Sequence, residues 1–169
     1  MKIRQEKAED QSFVYEVNEE AFGRKDEAGL VNALRKDQAF IPELSLVAEN
    51  DGQLVGHILF TRLEIIQEGH TYPSLALAPM AVLSACQHSG IGSKLIKEGL
   101  KRARQAGYRS VIVLGHESYY PRFGFEPASR WGIKAPFEVP DAAFMALPLA
   151  EDGLEGVSGT VRYAASFGI

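Results

Sequence analysis

The feature that most restricts how this chain can fold is a strand, a glycine turn, a helix and a second strand in immediate succession between residues 72 and 115. Residues 72–83 form a largely apolar run that reads as a strand. From 93 to 105, Leu95, Ile96, Leu100 and Ala103 recur at helical intervals, and Gly107 follows where a helix end favours positive φ. Ser110-Val-Ile-Val-Leu-Gly115 is then an uninterrupted apolar strand of the kind buried on both faces. Strands joined through an intervening helix of this length lie parallel in one sheet, so the segment is laid out as a βαβ crossover.

The flanks read differently. Residues 1–4 alternate as a first strand. Residues 9–34 suggest two short helices broken near Gly23, with Phe13, Val17, Ala21 and Phe22 on one buried face and Leu30, Val31 and Leu34 on another. Residues 44–49 alternate as a strand, Asn50-Asp51-Gly52 supplies a hairpin turn tolerant of positive φ, and 53–66 returns as a longer strand. Beyond Pro127 the prolines at 136, 140 and 148 make the chain less regular, with strand candidates at 143–149 and 160–164. No linker stands before residue 126, and the 169 residues read as one domain over 1–169 with a less regular segment at 127–169.

Charge and cysteine content narrow the function. The formal net charge of −4 gives no overall attraction to nucleic acid or an anionic membrane. Cys86 is the single cysteine, so no internal disulfide or thiolate zinc cluster can form, and His57 and His70 lack a third ligand at metal spacing. No metal is expected. The start of the chain has no apolar run like a signal peptide, and a cytoplasmic protein is expected.

Chemistry concentrates in Gln87-His88-Ser89-Gly90-Ile91-Gly92-Ser93, between the strand and the helix. The first turn of a helix leaves backbone N–H groups unpartnered, its dipole adds positive charge, and glycines let an anion approach. A P-loop requires Gly-Lys-Ser/Thr, whereas Gly92-Ser93-Lys94-Leu95 has the wrong order. A dinucleotide turn requires a small residue at 95 and an acid near 112, where Leu95 and Ile112 stand. What remains is Gln/Arg-x-x-Gly-x-Gly/Ala, carried by Gln87, Gly90 and Gly92. Downstream stands Glu117-Ser-Tyr-Tyr-Pro-Arg-Phe-Gly-Phe125, in which Phe123 and Phe125 are expected in the core and Gly124 in a turn.

Together these two segments resemble the GNAT superfamily of N-acetyltransferases, in which such a turn binds the pyrophosphate of coenzyme A and a Tyr four residues before Gly-Phe lies near the thioester sulfur. Tyr120 with Gly124-Phe125 keeps that interval. Ser84 departs from the pattern, where the family often has proline. The resemblance implies a mixed α/β fold with a twisted, mostly antiparallel sheet flanked by helices and splayed between strands near 75–83 and 110–115. It implies acetyl-CoA as co-substrate, with the pyrophosphate held by Gln87, His88, Ser89, Gly90, Ile91, Gly92 and Ser93. Met80, Ala81 and Val82 would run beside the pantetheine arm, and a backbone amide near Val82 would donate to the oxyanion. Tyr120 is the candidate acid for the departing thiolate. His116 is the candidate base, because its intrinsic pKa suits the task, with Glu117 beside it and Glu20, Glu64 or a water chain as alternatives. The partner is an amine acceptor, small molecule or protein, and a homodimer remains open. Two other readings stay open: an acyltransferase using another acyl-CoA, and a non-catalytic domain that senses acetyl-CoA or binds a partner.

Overall fold

The computed structural model describes all residues, Met1–Ile169. Strand β1 (Lys2–Gln5) leads into helices α1 (Gln11–Phe22) and α2 (Asp26–Leu34), and these are followed by strands β2 (Phe40–Asn50), β3 (Gln53–Gln67) and β4 (His70–Val82). Helix α3 (Ile91–Gln105) crosses to β5 (Ser110–Leu114). The tail adds the short strands β6 (Glu126–Pro127), β7 (Ile133–Lys134), β8 (Phe144–Pro148) and β9 (Gly159–Arg162). All nine strands join one sheet in the order β1-β2-β3-β4-β5-β8-β6, with β9 on β3 and β7 on β9. Only β4–β5 and β7–β9 are parallel. The sheet is therefore mixed and mostly antiparallel.

Alternation along the strands sends apolar side chains to both faces, and both faces are covered. Leu46, Ile58, Phe60, Leu75 and Leu77 pack with Leu95, Ile96 and Leu100 of α3 on one side. On the other, Val47 and Leu59 meet Val14 of α1 and Val31 and Leu34 of α2. The rest of that face, including Ala76 and Ile112, is closed by Phe144 and Leu154 of the C-terminal segment. The break at Gly23 is made by its left-handed backbone, φ 68°. The expected face of α1 needs correction: Val14, Val17 and Asn18 are buried, whereas Phe13 is 54% and Phe22 39% exposed. A step of one residue turns a helix by about 100°, so Phe13 cannot share the face that Val14 presents to the sheet.

What positions the site is the uneven pairing of β4. Along β3 its pairing runs from His70 to Val82. Along β5 only Leu75↔Val111 and Ala76↔Ile112 pair. Immediately afterwards β4 bulges: Ile58 pairs with Met80 and Phe60 with Leu77, so Ala78 and Pro79 together oppose Leu59. A bulge bends its strand and raises the local twist, which parts β4 from β5. From Leu77 to Val82 the β5-side edge of β4 has no neighbouring strand.

Candidate active site

The turn after β4 is built to present amides. The helix begins at Ile91, two residues earlier than the apolar periodicity predicts, because Gly90 takes a left-handed conformation (φ 86°) and starts the coil. His88 is also left-handed, with φ 65°. The first helical bond runs from Lys94 N–H to the Gly90 carbonyl at 3.1 Å. The N–H groups of His88, Ser89, Gly90, Ile91, Gly92 and Ser93 donate to no backbone group. A run of unpartnered donors at a helix start is an anion site in waiting. Gln87 holds this turn in place, since its Nε2 donates to the Val82 carbonyl at 3.0 Å. The Ser89 hydroxyl donates to the Cys86 carbonyl. On the far side of the strand end, the Ser84 N–H donates to the Glu20 carboxylate at 3.0 Å.

The turn and the open edge of β4 share one cleft of about 610 Å³. Of the residues expected to hold the co-substrate, Met80, Ala81, Val82, Gln87, His88, Gly90, Ile91, Gly92 and Ser93 line it, and Ser89 does not. Sequence reasoning missed the opposite wall, formed by Ser118, Tyr119 and Arg122, and the contribution of Ala21 and Phe22 from the end of α1.

Tyr120 does not line this cleft. It is 9% exposed within the core shared with α3. Its ring lies over Gly115, where an added Cβ would sit 2.3 Å from the ring, so only glycine lets the tyrosine seat. Phe125 meets it edge-on, with ring centres 5.7 Å apart. Burial, and secondarily Tyr119, push the Tyr120 phenol up to about 12. A thiol lies near 8.5, so handing the Tyr120 proton outright to a thiolate is uphill by about 5 kcal/mol. Burial therefore keeps this hydroxyl protonated and able to donate a hydrogen bond.

His116 is exposed just beyond β5. Its Nδ1 and the Ser118 hydroxyl are 2.9 Å apart. Its side chain is not part of the cleft lining. Glu64, another carboxylate considered, is paired with Arg162 at 2.6 Å. No group of three or more His, Cys, Asp or Glu is placed to hold a metal ion, and no helix is long and apolar enough to cross a membrane.

The crossover strand is thus open along half of one edge and ends in a turn of free amides. Comparison with known proteins gives the family: residues 2–128 match the acetyltransferase (GNAT) domain, and the chain belongs to that family. It is 44% identical over 133 residues to the N-acetyltransferase YjhQ of Escherichia coli strain K12, covering 78% of this chain and 74% of YjhQ. The fold matches that of the GNAT family N-acetyltransferase YhbS from Escherichia coli, solved in complex with CoA. The TM-score is 0.92 at 32% identity, over 99% of this chain and 92% of YhbS. A GNAT family acetyltransferase from Brucella melitensis, solved with acetyl-CoA, matches with a TM-score of 0.80 at 37% identity, over 98% and 97% of the two chains.

Proposed function

We propose that this protein transfers the acetyl group of acetyl-CoA to a primary amine of a small molecule or protein, by direct attack in a ternary complex. The observation that carries this reading is the meeting of two features in one cleft: the unpartnered amides of 88–93 and the open edge of β4. The first suits a diphosphate. The second suits an extended pantetheine arm, which can take the place of the missing strand. CoA and acetyl-CoA in the complexes of the YhbS and Brucella proteins support the same assignment.

The chemistry then asks little of side chains. The amine nitrogen attacks the thioester carbonyl, a C–N bond forms, the C–S bond breaks, and one proton passes from nitrogen to the departing sulfur. A backbone N–H near Val82 stabilises the oxyanion at the carbonyl. Tyr120, seated in the core against Tyr119, stabilises the developing thiolate by donating a hydrogen bond. His116, at the exposed end of the splay, takes the proton of the incoming ammonium directly or through water.

The test is a thiol-release assay with acetyl-CoA and a panel of primary amines and peptides, repeated with longer acyl donors. Turnover of at least one amine, fastest with the acetyl donor, is expected. Faster turnover with a longer donor would reassign the acyl group. Tight CoA binding with no amine turned over across the panel would overturn the enzyme reading in favour of a sensing domain.

A further inference from the structure

Arg122 stands apart from every other arginine in the molecule. Arg4, Arg24, Arg35, Arg102, Arg109, Arg130 and Arg162 pair with carboxylates, and Arg62 and Arg104 bond to carbonyl oxygens. Arg122 has neither, yet it is held in place. Its guanidinium carbon lies 5.3 Å from the centre of the Tyr119 ring, within the range of a cation–π contact. Tyr119 is in turn fixed edge-on against Tyr120 and Phe123, with ring centres 5.2 and 5.4 Å away. Its hydroxyl reaches the first turn of α3, where a Cβ on Gly92 would lie 3.1 Å from it. Both residues line the cleft together with the turn.

An unpaired cation stacked on a ring in the same cleft as free amides offers a second positive group to an anion bound there. The lysines of α3 do not fill this role: Lys94, Lys97 and Lys101 border a separate surface depression with Met1 and Ile3. We infer that Arg122, held flat on Tyr119, is the side-chain cation of the diphosphate subsite, and that Tyr119 closes that subsite across from Gly92. This rests on the reading that the cleft takes coenzyme A. Main-chain amides supply direction, and the guanidinium supplies a full positive charge.

Isothermal titration of the full-length protein with CoA and with dephospho-CoA, which keeps the diphosphate but lacks the 3′-phosphate, tests the inference. Arg122→Gln should weaken both ligands by the same factor, about tenfold. Arg122→Lys should recover part of that loss. Tyr119→Phe, which keeps the ring face, should stay within about threefold of the wild type, while Tyr119→Leu should approach the Arg122→Gln value. Because Arg122 is exposed and unpaired, its variants should keep the wild-type melting temperature. Unchanged affinity in Arg122→Gln overturns the inference. A loss seen with CoA but not with dephospho-CoA also overturns it, by moving Arg122 to the 3′-phosphate. Wild-type protein that binds neither ligand would overturn the coenzyme reading as well, and so is distinguishable from both.

Discussion

The two halves of β4 make opposite use of the same backbone. Leu75 and Ala76 pair with β3 on one edge and β5 on the other, and both side chains are buried. From Leu77 to Val82 the strand keeps β3 but loses β5, and the cleft opens along the vacated edge. The difference teaches that this fold makes its site by withholding a strand rather than by adding a loop. An unpaired edge is ordinarily a hazard. Here it lies inside a cleft, bounded by α1, α3 and the 118–122 segment, so that a ligand of the right shape can complete it and another chain cannot easily reach it.

That contrast can be broken from either half. The largest effect is expected at the open end, where Gly92→Glu puts a side chain 3.1 Å from the Tyr119 hydroxyl and an anion among the free amides. CoA affinity should fall more than about a hundredfold by calorimetry, with the fold retained by circular dichroism. In the closed half, Leu75→Ala removes a fully buried side chain. Denaturant unfolding should show a loss of about 3 kcal/mol, while CoA affinity in the folded protein stays within about twofold. Tyr120→Phe keeps the ring seated on Gly115 and removes only the hydroxyl. Turnover should fall about tenfold to a hundredfold with CoA affinity unchanged, and unaltered turnover would remove Tyr120 from the chemistry.

The smallest effect sharpens the comparison by probing what backs the open half. His57 on β3 pairs with Ala81 of β4 and is completely buried. It lies between Asn18 at 3.3 Å and Ser45 at 3.1 Å, with Glu6 3.9 Å away and Arg35 bonded to Glu6. Burial first, and the Arg35 charge second, lower its pKa from 6.5 to about 3. Between those values the unfolded chain binds the proton and the folded chain does not. Stability is therefore full above pH 6.5 and declines as the pH falls toward 3, by up to about 1.4 kcal/mol per unit. The hydrogen-bonded carboxylates Asp10, Glu27 and Asp37 are lowered from 3.8 or 4.5, so their stabilisation is lost only as the pH falls through and below those values, under the window of the unfolding test. Urea unfolding between pH 6.5 and 5 should show this slope in the wild type and lose it in His57→Gln.

Much of this was legible in the sequence because it is local. Hairpin residues 50–52, the crossover, and the late strands near 144–148 and 159–162 all announce themselves by alternation or periodicity. The start of α3 at Ile91 was not, since Gly90 and Gly92 carry no apolar signal and the helix is begun by a backbone conformation. Nor was the insertion of β8 between β5 and β6, which depends on pairing between distant residues. The family resemblance singled out Tyr120 of two adjacent tyrosines. It could not say that the open space at Gly115 would draw Tyr120 into the core and turn Tyr119 toward the cleft.

The central claim is that coenzyme A completes the open edge of β4 and engages the amides of the following turn. Hydrogen exchange of the folded protein, followed by mass spectrometry with and without saturating CoA, tests it most directly. The account predicts slower exchange in peptides covering 77–82 and 88–93, with little change in peptides covering 70–76. Equal exchange in all three segments, or protection confined to other parts of the chain, would contradict it.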